Sequence, residues 1–408
     1  MSDQIQEGIH FRSGESPPPH FSVVFLNVVG SPQTLDVQAC LEKIWETLTE
    51  LKTGQVHDLP GTTVDPSGLT VLIGFGSRFF DSLSKDSIRP SELRPFRKPR
   101  VGGGGPISLG AGLSFDSDVA ENPADCDLAI QFTGETALSV RRAVVETWKA
   151  IDRFQDSFNK PAPLRLNASF NGFGREDRRS WIDFFDGTSN LRSEQRLGAI
   201  EIKERSGDAP DNWKENGTYL CYMRIAVDIS SWQKLSRSQK EQLVGRDMVS
   251  GCPLVADANG GIQPISGCPA NAGGTVEDGQ NERFRFAPRP AFDATLRSSH
   301  IHRANQGRST PADPESRLVY RQGYEFLEGI DAKGCPQLGL NFISFQDTPE
   351  RILGMLKIPG WLGRVNFGGD PNNQLPGMAN LLRVRAAGFF VVPPRKADDS
   401  LPASELFI

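Results

Sequence analysis

A chain of 408 residues is long enough for two or three domains and for a core that buries an organic cofactor. Its 45 Lys and Arg stand against 50 Asp and Glu, a net charge of -5, so no global positive field points to nucleic acid or an anionic membrane, and the expected partner is a small molecule. With 38% hydrophobic and 23% charged residues and 25 Phe, the chain is too apolar to be disordered and too long to be a disulfide-stapled miniprotein.

Six cysteines (Cys40, Cys126, Cys221, Cys252, Cys268, Cys335) contain no Cys-x-x-Cys pair and match neither a zinc pattern nor a secreted disulfide framework, which predicts a reducing, cytoplasmic setting. Asp3, Glu7, His10, Arg12 and Glu15 precede any apolar run, so no secretory signal is expected. No apolar run reaches bilayer-spanning length.

FSVVFLNVV, residues 21–29, reads as a strand, and Val37, Cys40, Leu41, Ile44, Leu48 and Leu51 then repeat at helical spacing. LTVLIGFG (69–76) and DLAIQF (127–132) read as strands. After Thr133, the residues Ala137, Val140, Val144, Trp148 and Ile151 predict a second amphipathic helix, followed by LRLNASF (164–170). That order is a ferredoxin-like βαββαβ unit. The second half repeats it: TYLCYMRIAV (218–227), a polar helix over 237–244, RLVYRQGYEF (317–326), GLNFISFQ (339–346), a helix over 349–357, and GFFVVPP. Prolines in NKPAPL place a division near residue 160, giving domains 1–160 and 161–408. Two Gly/Pro/Asn-rich loops, 251–280 and 360–377, exceed simple connections.

Two motif candidates carry little. VGGGGP, with Gly102 to Gly105, lacks the Gly-Lys-Ser/Thr of a phosphate loop, and the basic run Arg89, Arg94, Arg97, Lys98 and Arg100 reads as a solvated loop. His300 and His302 in SSHIHRANQGR form a clustered pair without zinc or di-iron spacing. Asp186 in DFFDGTSNL reads either as an Asx turn or as a carboxylate that Phe184 and Phe185 set beside an apolar cavity.

At these residues the chain resembles the dye-decolourising peroxidases, a haem family with a Gly-x-x-Asp-Gly segment, a later His in a Ser/Thr-His-Ile-Arg context, and an Arg beyond it. Asp186-Gly187 in FFDGTSN, His300 in SHIHRAN and Arg321 in VYRQGYEF are the counterparts. The similarity extends in order through IQEGI, VLIGFGSRFFDSL, DLAIQFTGE, LVGRDMVSGCPL, GLNFISFQ and GFFVVPP. Asp183 replaces the motif's first glycine, His302 stands where Arg is usual, and Gln306 replaces a Pro.

The resemblance implies an α+β fold of two tandem ferredoxin-like units of the dimeric α+β barrel type, with one noncovalent b-type haem in the C-terminal half. It implies His300 as the iron ligand, Asp186 and Arg321 as catalytic residues, and Arg321, Leu340 and Phe342 as residues against the haem on its distal side. Asn380 is the nearest counterpart of a group bonded to the ligand's other nitrogen. The implied substrates are hydrogen peroxide and bulky aromatic electron donors, with no nucleic acid or membrane partner and the oligomeric state open. Those residue types suit the chemistry. A neutral imidazole holds iron from one side and leaves the other open, while peroxide cleavage calls for a base and a fixed positive charge. The alternative is a haem-handling protein, which needs the ligand but neither the acid nor the cation. Trp361 is a candidate surface electron relay or a packing residue.

Overall fold

The computed structural model describes residues 4–11, 15–96, 107–108, 114–115, 123–177, 179–185, 190–191, 193–203, 207, 209–257, 259, 261–265, 296, 299–304, 317–356, 381–398 and 400–407. The first unit runs β1 (His20–Val28), α1 (Thr34–Lys52), β2 (Thr70–Gly76), α2 (Ser77–Ser82), a small hairpin of β3 (Ile107–Ser108) and β4 (Ser114–Phe115), β5 (Leu128–Gly134), α3 (Ala137–Phe158) and β6 (Leu164–Phe173). The second contains α4 (Ser193–Ile200), β7 (Thr218–Val227), α5 (Ile229–Gln233), α6 (Arg237–Val244), a hairpin of β8 (Leu254–Ala256) and β9 (Ile262–Pro264), α7 (His300–Ala304), β10 (Tyr320–Ile330), β11 (Pro336–Gln346), α8 (Glu350–Leu356) and β12 (Leu382–Val392).

All six residues expected on the apolar face of α1 are buried. In α3 the Thr136 side chain accepts from Ser139 N–H and caps the start, so the helix begins after Thr133, and Asn159 ends it in the left-handed conformation. Trp148, expected on the apolar face, is exposed.

Eight strands close into one antiparallel barrel in the order β1-β5-β2-β12-β7-β11-β10-β6. Each unit contributes four strands in the spatial order fourth, first, third, second, as a ferredoxin-like unit does, and each unit's second strand meets the other's fourth. The expected tandem fold is therefore present. The expected division at residue 160 falls ahead of β6, whose ladder with β1 runs from His20↔Phe173 to Val28↔Leu164. We propose that the units divide after Phe173.

Alternation along the strands sends one set of side chains inward and the other outward. Phe21, Val23, Phe25, Leu72, Leu220, Tyr222, Tyr320, Tyr324, Ile343, Phe345 and Phe390 form an inner cluster, so the barrel is filled. A polar network crosses it: Tyr222 Oη donates to Asn341 Oδ1 (2.8 Å), as does Arg224 Nη1 (2.6 Å), and the Arg224 guanidinium lies 3.6 Å from the Phe326 ring centroid. Burial pushes the Tyr222 and Tyr324 hydroxyls well above the ordinary tyrosine range.

The two joints between units are short. β2 and β12 pair only at Phe390↔Gly76 and Val391↔Phe75, and β10 and β6 only at Glu325↔Phe173. Gln6, buried between Ile5 and Ile9 of the N-terminal segment, patches the first joint. Its Oε1 accepts from Ile73 N–H (2.8 Å), and its Nε2 donates to Ile73 O (3.1 Å) and Pro393 O (2.9 Å).

Two sequence expectations change. Arg89 is buried and paired with Asp81 and Asp86, not solvated; the side chain of Arg94 and all of Arg97, Lys98, Arg100 and Gly102 to Gly105 lie outside the described residues. Cys40, Cys126, Cys221 and Cys335 are free thiols, but Cys252 is disulfide-bonded. That bond removes the sparse-cysteine argument for a reducing compartment, because disulfides persist in oxidising ones. Burial pushes Cys40 and Cys126 up to about 12.

Two outcomes follow. Gln6→Leu keeps the volume but strands the Ile73 N–H, so urea unfolding should show a loss of about 1–3 kcal/mol. Alkylation in denaturant without reductant should modify the four free cysteines, and all six only after reduction; mass spectrometry counts them.

Candidate active site on the outer face of the second unit

The strand register fixes which side chains share the outer face of the second unit. Arg321 pairs with Ser344, which pairs with Cys221, then Phe389; the adjacent row is Gly323, Phe342, Met223 and Ala387; the next begins Glu325, Leu340 and Ile225. Arg321, Leu340 and Phe342 therefore lie on one face, as expected. All three are half-buried, as is Ile225. On the matching face of the first unit, Val24, Ile73 and Ile130 are at most 1% exposed.

Helix length explains the contrast. At 1.5 Å per residue, the 19 residues of α1 and 22 of α3 span the first face, and both belong to its core. In the second unit α8 has seven residues, of which Ile352 and Leu353 join that same cluster. α6 has eight and turns away, its Val244 packing with Phe184, Trp232, Leu235 and Leu381 in a separate cluster.

The segment leading to Asp186 is held from several sides. Arg179 Nη1 donates to the carbonyls of Asp183 and Met248 (2.7 Å each), its Nη2 donates to Val249 O (3.0 Å), and its guanidinium lies 3.8 Å from the Phe185 ring centroid. Phe184 points into the Trp232 cluster, their centroids 6.3 Å apart. Gly251 has φ +72, and a Cβ there would come within 2.8 Å of Phe185 Cδ2, so a glycine is required. Its turn is closed by Asp247, which accepts from Ser250 N–H (2.6 Å) and Oγ (2.7 Å). Burial raises the Asp247 carboxyl, but these bonds and the Arg237 guanidinium outweigh it and hold the group below the usual carboxylate range.

Asp183 has φ +67. This is the left-handed region where a glycine is favoured, and Asp is among the few other residues that enter it. The departure from the motif is thus accommodated in place, with Asp183 N–H donating to Ser180 O (2.8 Å). Asp186 itself and Gly187 lie outside the described residues. The chain re-enters at Asn190, whose Nδ2 donates to Arg321 O (2.7 Å) and whose Oδ1 accepts from Arg321 N–H (3.1 Å).

His300 opens α7 and is half-buried. The segment is a helix of five residues. The His302 side chain, Gln306, Trp361 and Asn380 lie outside the described residues. Gly245 positions α7: it closes α6 with φ +85, and a Cβ there would meet Ser299 Oγ at 2.5 Å and Ile301 Cγ1 at 2.7 Å. Ala304 at the other end of α7 packs against the large outer cluster to which Phe342 and Met355 also belong.

Sequence reasoning missed Arg179, Asn190 and Gly245. LVGRDMVSGCPL carried Gly245 and Gly251 as part of a likeness, and the Asn of DGTSN was in view without a role. The donor set suits haem: an imidazole for iron, a half-buried apolar floor for a flat macrocycle, and a guanidinium at the floor's edge.

A tandem ferredoxin-like barrel with one outer face sealed and the other half-open, with an arginine on it, defines a scaffold for a flat cofactor. Models for the two parts of one family match: "Dyp-type peroxidase, N-terminal" over residues 19–103 and "Dyp-type peroxidase, C-terminal" over 177–397. The chain belongs to the Dyp-type peroxidase family. It is 22% identical over 288 residues to a dye-decolorizing peroxidase of Thermobifida fusca, covering 70% of this chain and 57% of that protein. It is 25% identical over 292 residues to a deferrochelatase of Shigella flexneri, covering 71% and 60%. The chain thus spans less than two thirds of these relatives' length. Ferric DtpA from Streptomyces lividans shares the fold with a TM-score of 0.66 at 21% identity, over 99% of this chain and 98% of that one.

The left-handed backbone at residue 183 sets an expectation. Asp183→Gly should fold with unchanged or slightly higher stability, whereas Asp183→Val should lose roughly 1–2 kcal/mol; thermal unfolding of the pair measures the difference.

Proposed function

We propose that the protein is a haem-dependent peroxidase that reduces hydrogen peroxide and oxidises bulky aromatic donors by one-electron steps. The half-open outer face of the second unit, with Arg321, Leu340 and Phe342 together on it, is the observation that carries this reading. His300 would hold the iron of a noncovalent b-type haem. When bound, that haem supplies the redox-active metal. Leu340 and Phe342 keep bulk water from the distal side. Asp186 takes the proton from one peroxide oxygen and delivers it to the other, and the Arg321 guanidinium stabilises the negative charge that develops as the bond between them breaks.

The relatives named deferrochelatase raise haem handling as a second reading. Asp186 and Arg321 weigh against it, because a protein that only carries haem has no use for a general acid/base and a cation at the open position. The physiological donor would be an aromatic compound.

A visible spectrum with and without one equivalent of hydrogen peroxide tests cofactor, ligation and reactivity together. Acid–butanone should extract the haem. His300→Ala should lose the haem or its Soret band, while His302→Ala keeps both. Asp186→Asn and Arg321→Leu should retain haem and slow the spectral response to peroxide at least about tenfold in stopped flow. Wild-type rates in both variants would favour haem handling.

A further inference from the structure

We propose that Asn190 is a positioning residue for Arg321, its carboxamide fixing the backbone of the strand position that carries the guanidinium. The inference rests on the peroxidase reading above and names the residue that makes its distal pair a unit. β6 reaches β10 only at Glu325↔Phe173, four positions beyond Arg321, so upstream of that pair no strand among the described residues continues along this edge of β10. The Asn190 carboxamide takes the place of one. It satisfies the N–H and the C=O of the same residue, Arg321, at 3.1 and 2.7 Å.

The other joint of the barrel shows that this is how the fold closes. There Gln6 makes the same two-point contact with Ile73 on β2, the equivalent strand of the first unit, and again a few residues upstream of the inter-unit pairs. Each carboxamide comes from the segment that precedes its unit's first strand. The difference lies in what the clamped residue does. Ile73 is 1% exposed and packs in the core beneath α1 and α3, whereas Arg321 occupies the half-open face.

Asn190 is itself fixed, which a clamp requires. Its Oδ1 also accepts from Leu191 N–H (3.0 Å), and Arg196 Nε donates to Leu191 O (3.0 Å). Arg196 Nη1 reaches Phe11 O (3.0 Å), and its guanidinium lies 4.4 Å from the ring centroid of Tyr320, the residue before Arg321. Asp186 precedes Asn190 by four residues, so chain length alone keeps the two Cα atoms within about 14 Å. Clamping Asn190 onto Arg321 therefore tethers the acid to the strand that carries the cation, and small displacements of reacting groups are costly.

The test uses the haem-loaded protein and the variants Asn190→Ala and Asn190→Asp, the second nearly isosteric but unable to donate to Arg321 O. Hydrogen exchange at the Arg321 amide should accelerate at least about threefold in both. The spectral response to peroxide should slow at least about tenfold with the Soret band retained. In an Arg321→Leu background, Asn190→Ala should change the peroxide rate by less than about twofold, because a residue that acts through Arg321 has nothing left to position. Unchanged exchange at Arg321, or an equal rate loss in both backgrounds, would overturn the inference while leaving the peroxidase reading standing. Wild-type reactivity of Arg321→Leu would overturn the inference, and wild-type reactivity of Asp186→Asn as well would overturn the peroxidase reading with it.

Discussion

Closing eight strands from two units into one barrel requires two joints, and neither is long enough to hold by its main-chain ladder. Within a unit the strands share long registers, seven pairs between β1 and β5 for instance, while the joints contribute two pairs and one. A side-chain carboxamide is the economical remedy, since it carries the same donor and acceptor as a peptide group and buries no further strand. Gln6 and Asn190 supply it, each from chain that precedes a unit's first strand. The rest of the architecture depends on these contacts, because the inner cluster of Phe21, Phe25, Tyr222, Tyr320, Tyr324 and Phe390 draws on both units and stays dry only if the joints are shut.

The same strand plan then yields two different outer faces. Long helices seal the first, and an isoleucine-rich surface disappears beneath them. Short helices on the second leave Leu340, Phe342 and Ile225 half-buried on strands flanked by neighbours on both sides. Central strands of a barrel normally bury their covered face, so partial exposure of a Phe and a Leu there marks a floor awaiting an apolar occupant. Among the described residues, the two faces differ in the length of their covering helices while the strand plan is the same.

The strand order was legible because each strand is a compact apolar, β-branched run and each helix has a clear period; even the pairing of two like units could be read from the repeated order of elements. The candidate residues on β10 and β11 were legible through a family likeness, and alternation put Leu340 and Phe342 on one side. What escaped reading was set by contacts between distant segments. Nothing local distinguishes Gln6 from any other polar residue before a strand, or marks Asn190 as the partner of a residue on β10. Arg89 looked solvated within a basic run because its acids, Asp81 and Asp86, lie just outside it. Cys252 looked free because disulfide partners are a property of the folded chain. The helix at His300 has five residues, too few to show a period in the sequence. Asp183 looked like damage to a motif, yet its left-handed backbone shows that the motif specifies a conformation before it specifies a residue.

Where a flat cofactor can sit is then decided by exclusion and by charge. The barrel interior is occupied by stacked aromatic rings and by the Arg224–Asn341–Tyr222 network, whose bonds would all have to break to admit a guest. The first outer face is closed under α1 and α3. On the second face, Arg321 sits at the end of a row that continues through Ser344 and Cys221, so a cofactor lying on Phe342 would meet the arginine at its margin. A cation at the margin leaves the apolar floor free for the ring system and places positive charge where an incoming oxygen species develops negative charge. The Asn190 carboxamide, bonded to both backbone groups of Arg321, fixes the point on β10 from which that cation is presented.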